Sequence, residues 1–296
     1  GRQERGAMIE QTVEGALVEA LRRAVTHLPA DVERALKRAR ADETSPRAAE
    51  QIDVLLENVA IARDDGVPLC QDTGLLRFHV DAGSGSPYLS GLRSWIESAV
   101  ACATDLVPLR PNTIDPLTFE HRKDNLGHRM PWIQWDLVEG GDVIISILPK
   151  GGGSDGASRL CLLPVDAGRA EIQRTVIEHI VAWEGRTCPP VVIGLGIGGP
   201  ADGALSLGTH ALLRDLDTPH PDPEIAVLEN EIRGLANATG VGAMGLGGAA
   251  TCLAVHIEIA HRHPACFPLG IVVSCWADRR AKVVLHADGS VEVLPP

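Results

Sequence analysis

Three cysteines stand in segments richer in glycine, proline and polar groups than a packed core requires. Cys70 lies in Pro68-Leu69-Cys70-Gln71-Asp72-Thr73-Gly74, Cys188 in Thr187-Cys188-Pro189-Pro190, and Cys275 in Ser274-Cys275-Trp276-Ala277-Asp278-Arg279-Arg280. A thiol in such a setting is a small buried residue, a nucleophile or a soft metal ligand. The three are far apart in the chain, without the local CxxC spacing of a zinc ribbon or a ferredoxin, so spacing alone defines no metal site.

Three further segments invite a chemical reading. Lys150-Gly151-Gly152-Gly153 can cradle an anion with backbone N–H groups, but it lacks the order of a nucleotide P-loop. An organic carboxylate suits it at least as well, and a tight turn after a strand is the plain alternative. Gly194, Gly196 and Gly199 satisfy the dinucleotide pattern after an apolar run. The helix that follows leads into Thr218-Pro219-His220-Pro221-Asp222-Pro223, which cannot enter a sheet interior, so a nicotinamide site is a minor alternative. His256, His261 and His263 lie near Glu258 without H-E-x-x-H spacing, and His256 and His263 fall on opposite faces of a regular strand. A zinc hydrolase is accordingly the weakest candidate.

The elements that must position these groups follow from composition and periodicity. The chain has 296 residues, with 39 acidic against 27 basic and a formal charge of −12, which argues against non-specific binding to nucleic acid or to anionic lipid. Seven scattered cysteines do not make a secreted disulfide framework, and with no secretory signal the expected compartment is the cytoplasm. Residues 1–7 precede Met8 and read as an appended remnant. The uncharged stretch 234–255 carries six glycines and Asn237, so it reads as buried loop and short elements, not as a membrane span.

Leu17, Leu21 and Val25, then Val32, Leu36 and Ala39, then Ile52, Leu55 and Val59 predict three successive helices, the third opened by Ser45 as N-cap and Pro46 at the first helical position. Residues 8–67 are thus a helical N-terminal region, and 68–296 one continuous lobe of strands with helices between them. Helices are expected over 171–183, 204–213 and 224–236, strands over 191–197, 253–259 and 269–273. Residues 131–148 alternate and turn at Gly140-Gly141, the pattern of a hairpin. The fold class is α/β, with mixed α+β character.

Taken together, Cys-Gln-Asp-Thr-Gly, Lys-Gly-Gly-Gly-Ser, Cys-Pro-Pro before Gly-x-Gly-Ile-Gly-Gly, Met244-Gly245-Leu246-Gly247-Gly248 and Cys-Trp-Ala-x-Arg-Arg resemble, in this order, class I fumarases and L-tartrate dehydratase α subunits. The resemblance covers nearly the whole chain. It implies a mixed-sheet catalytic lobe of the iron-sulfur hydro-lyase type and a [4Fe-4S] cluster held by Cys70, Cys188 and Cys275, with one iron open to substrate. Cys102, Cys161, Cys252 and Cys266 remain ordinary thiols. It further implies Asp72 and His263 as catalytic residues, and Gln71, Arg110 and Gly153 as contacts to a C4 2-hydroxy dicarboxylate. The implied partners are a separate β subunit and a second α chain, within a heterotetramer. A non-catalytic iron-sulfur sensor on the same scaffold is the alternative, against which Asp72, Arg110 and His263 weigh. Many relatives have Asn-Thr-Gly-x-Asn where this chain has His121-Arg122-Lys123-Asp124-Asn125, which adds positive charge near the expected pocket.

Overall fold

The computed structural model describes the backbone of residues 2–295 and side chains from Ile9 onward, so the side chains of the segment read as an appended remnant lie outside the described residues. Three helices come first: α1 (Arg2–Thr26), α2 (Ala30–Asp42) and α3 (Pro46–Asp65). The third starts where Ser45-Pro46 predicts, the Ser45 carbonyl accepting from Ala49 N at 2.9 Å. Then follow β1 (Leu75–Gly83), α4 (Leu92–Leu106), β2 (Trp132–Val138), β3 (Val143–Lys150), α5 (Gly152–Asp155), β4 (Arg159–Leu163), α6 (Arg169–Trp183) and β5 (Val191–Gly198). The chain continues through α7 (Ala201–Ala211), α8 (Pro223–Ala238), β6 (Cys252–Ala260), β7 (Phe267–Ser274), β8 (Ala281–Leu285) and β9 (Val291–Val293). The α/β class expected from the sequence is the observed one.

Packing divides the chain into two units, interleaved in sequence: one comprises Gly1–Pro29, Ile61–Lys150 and Arg279–Pro296, the other Ala30–Ala60 and Gly151–Asp278. In the first unit the sheet order is β2-β1-β3-β8-β9. Phe78, Val80 and Ala82 of β1, Val143, Ile145 and Ile147 of β3, and Ala281, Val283 and Leu285 of β8 alternate onto one face. Leu17, Leu21 and Val25 of α1 and Leu92, Ile96, Val100 and Ala103 of α4 complete that core.

The expected hairpin over 131–148 is corrected. Strand β1 lies between β2 and β3, paired parallel with β2 and antiparallel with β3. The connection therefore steps over the end of β1, where Gly83 N donates to Asp142 O and Gly85 N to Gly140 O, both at 2.9 Å. A Cβ on Gly83 would lie 2.5 Å from Asp142 O, so glycine is needed for that crossing. A two-glycine turn signal cannot tell an adjacent strand from the next but one.

The second unit holds a sheet of order β4-β7-β5-β6, with every residue of β5 and β7 buried. Ile193 and Leu195 face Ile172, Val176 and Ile180 of α6 and Leu228 and Ile232 of α8. On the other face α7 lies directly on the backbone. A Cβ at Gly194 would sit 1.9 Å from Gly208 O, and one at Gly196 1.9 Å from Ala204 O. Gly194 and Gly196 of the dinucleotide-like pattern thus admit a helix at close range, which explains them without a pyrophosphate, and Gly199 takes a positive φ of +71°. No described helix is long and apolar enough to cross a membrane, and the 234–255 stretch resolves into the end of α8, a short 3-10 turn (Ala243–Gly245) and the start of β6.

Candidate active site

In the first unit the Cys70-to-Gly74 loop is tied at its start by Leu69 N donating to Val25 O at 2.9 Å. Asp72 folds the loop back on itself, its Oδ1 accepting from Gly74 N at 2.9 Å. Gly74 has φ +88°, and a Cβ there would lie 2.6 Å from the Pro149 carbonyl carbon. Glycine is therefore the residue that lets this loop close against the end of β3.

The segment after α4 packs onto the same loop. Arg110 N donates to Thr73 Oγ1 at 2.9 Å, and Asn112 Nδ2 donates to Gly74 O at 3.1 Å and to Asp72 Oδ1 at 3.3 Å. The Arg110 side chain is exposed, with a 3.5 Å approach to Gln71 O and, among the described residues, no carboxylate partner. Arg279, only 1% exposed, donates from Nη1 to Asp72 O at 2.9 Å. Asp72, the Gln71 carbonyl and Arg110 are thus brought together in one loop cluster.

Sequence reasoning assigned no role to Asn112, Asn125 or Arg279. Asn125, buried at φ 55°, accepts from Asn112 N at 2.8 Å and donates to Arg110 O at 3.1 Å and to Thr104 Oγ1 at 3.0 Å. It clamps the Arg110 segment, and its left-handed backbone is one that asparagine tolerates. No spacing rule picks out such a clamp. The positive charge expected at 121–125 is partly neutralised, since Arg122 Nη2 pairs with Asp124 at 2.9 Å.

In the second unit, β5 and β7 run antiparallel with Val192 opposite Ser274, so the chain just before β5 and the chain just after β7 meet at one end of the sheet. Those two stretches carry Cys188 and Cys275. Trp276 N donates to Cys188 O at 3.1 Å and fixes them side by side. Cys188 is left-handed (φ 52°, ψ 63°) at the end of a short 3-10 turn (Glu184–Thr187), and Met244 N donates to Pro189 O at 2.7 Å. Gly153 joins this end, a Cβ there falling 3.6 Å from Arg186 O.

The remaining thiols differ. Cys252 opens β6 at the same sheet end, opposite Val191, but it points into the core, where burial pushes its thiol up to about 12. Burial also raises the Cys161 thiol. Cys188 and Cys275, by contrast, are only half-buried, as is Cys70 in the first unit.

His263 is not brought to the cysteines of its own unit. It is exposed in the 261–266 connection at the other end of β7, its Nδ1 accepting from Ala265 N at 3.1 Å. The strand between it and Cys275 has 8 residues and at a rise of about 3.3 Å each is about 26 Å long. His256 is a core residue whose Nδ1 accepts from Arg214 Nε at 2.7 Å, with Arg214 bonded in turn to Glu229. Among the described residues no group of three potential metal ligands includes His256, His261 or His263.

Comparison with known proteins places these features in context. The family model described as fumarate hydratase (Fumerase) matches residues 14–284. A Methanocaldococcus jannaschii protein, provisionally named L(+)-tartrate dehydratase subunit alpha, is 43% identical over 91% of this chain and 96% of its own. The L(+)-tartrate dehydratase subunit alpha of Escherichia coli O157:H7 is 35% identical over 91% of this chain and 89% of its own, and that of strain K12 is 34% identical over the same shares.

Proposed function

Because the chain belongs to the fumarate hydratase (Fumerase) family, we propose that it is the α chain of an iron-sulfur hydro-lyase that reversibly dehydrates a C4 2-hydroxy dicarboxylate of the malate or tartrate type. The observation that carries this reading is the delivery of Cys188 and Cys275 to one sheet end as half-buried neighbours, while Cys252 at that same end is a core thiol. The donor set suits a soft metal centre. Cys70, Cys188 and Cys275 would hold a [4Fe-4S] cluster, which when bound supplies a Lewis acid that makes hydroxide a better leaving group.

The chain's own residues supply the rest. Arg110 offers a planar fork to one substrate carboxylate, because no protein carboxylate engages it among the described residues. Gln71 and the Gly153 N–H orient the diacid. Asp72, held with one oxygen on Gly74 N, moves the proton next to the carboxylate. His263 lies before the start of the eight-residue β7 and Cys275 just after its end, so the reading places His263 at the site of a second α copy. Mixing inactive Cys188→Ser and His263→Gln chains should then restore about a quarter of the activity by forming one intact site in half of the dimers. No activity in a mixture shown to contain mixed dimers would overturn the placement of His263 in a second copy, and a fully active His263→Gln chain would remove it from the mechanism.

The relatives are named as α subunits, and the reading includes a separate β chain and a cytoplasmic setting. Iron and sulfide reconstitution without air, with the neighbouring β chain present, should yield hydro-lyase turnover on malate, L-tartrate, D-tartrate or citramalate. The same activity should decay in air and return with ferrous iron and reductant. Turnover indifferent to air and to chelation of iron would overturn the proposal.

A further inference from the structure

We propose a divalent transition-metal site on the outer face of the first unit's sheet, formed by His79, Asp81 and Asp136 and separate from the cysteines. His79 and Asp81 are two residues apart on β1, so both project from the same face, opposite to the Phe78 and Val80 core face. Asp136 of the edge strand β2 is in register with Asp81, and its side chain joins them. One donor atom from each residue lies within 4.8 Å of the others.

The geometry favours an ion over a simple hydrogen-bonded cluster. His79 Nε2 is 3.4 Å from Asp81 Oδ1 and 3.3 Å from Asp136 Oδ2, longer than the roughly 2.7–2.9 Å of a charge-assisted hydrogen bond. An ion held tetrahedrally about 2.1 Å from each donor spaces its ligands by about 3.4 Å. Charge points the same way. Asp81 and Asp136 stand directly opposite on paired strands, an arrangement that repels, and among the described residues neither has a lysine or arginine partner. The nearby Arg93 is taken by Glu97 at 3.0 Å.

One imidazole with two carboxylates suits zinc or a similar first-row ion better than magnesium or calcium, which prefer all-oxygen shells. The His79 side chain is 9% exposed, whereas that of Asp136 is 54% exposed, so the ion enters from solvent and water completes its shell. Its effect is to clip β2, an edge strand in a parallel pairing, onto β1.

Calorimetric titration of zinc into the cluster-loaded protein tests this. One zinc per chain is expected, with the affinity falling about tenfold or more in Asp136→Asn and in Asp81→Asn, since even outer-shell losses cost 10–100-fold. Zinc should also slow amide exchange over residues 132–138 in the wild type and not in those variants, while hydro-lyase activity stays unchanged in both. Zinc uptake identical in wild type and variants would assign the ion to the thiols and overturn the proposal, as would no uptake at millimolar zinc.

Discussion

Cys188→Ser is expected to remove the visible absorption of the cluster and to lower kcat by about a thousandfold or more, because the Lewis acid supplies several kcal/mol and each 1.36 kcal/mol is a factor of ten. Cys275→Ser should do the same, for the two segments are one structural unit joined through Trp276 N and Cys188 O. The controls are chosen by burial. Cys102 is exposed on α4 of the first unit, so Cys102→Ser should leave spectrum and turnover intact. Cys252→Ser should leave the cluster in place and cost stability instead, since it puts a hydroxyl into a core position whose thiol is already pushed up to about 12 by burial. The measurement is anaerobic iron and sulfide content alongside turnover. Full cluster occupancy in Cys188→Ser, or its loss in Cys102→Ser, would reassign the ligands.

The helices were legible because their signal is local. Leu17, Leu21 and Val25 line one stripe of α1, and Ser45-Pro46 marks the start of α3 whatever lies around them. Pairing order was not legible, because the insertion of β1 between β2 and β3 depends on a strand more than 40 residues upstream. The glycines at 194 and 196 illustrate a second limit. Phosphate approach and helix approach both demand a missing side chain, and only the position of Ala204 and Gly208 of α7 tells them apart. At the candidate site the motif residues Asp72 and Arg110 were identifiable by type. The groups that hold them, Asn112, Asn125 and Arg279, bond to backbone and side-chain atoms of residues distant in sequence and leave no periodic trace. His263 shows the same limit in reverse: a motif supplies a residue's role but not whether its own strand can carry it to the site.

Asp72→Asn separates the chemistry of the loop from its architecture. The carboxylate does two things: Oδ1 accepts from Gly74 N and from Asn112 Nδ2, and the group as a whole can take up or give a proton. An asparagine carbonyl reproduces the first, because it keeps an acceptor at the Oδ1 position, and the positive φ of Gly74 and the buried Arg279 contact to Asp72 O are backbone features that the substitution does not touch. It cannot reproduce the second. The expected result is an unchanged thermal midpoint, an unchanged cluster spectrum and a kcat lower by about 10²–10⁴, the range for loss of a positioned acid or base, with KM for the diacid within a few-fold of wild type. Asn112→Ala gives the complementary case. It keeps the carboxylate but removes the donor that joins Asp72 Oδ1 to Gly74 O, so the acid remains chemically competent and becomes badly aimed, and the loss should be smaller and shared between kcat and KM. If Asp72→Asn retained activity within tenfold of wild type while folding normally, the proton would have to move through another group, and Asp72 would be left with the turn it closes.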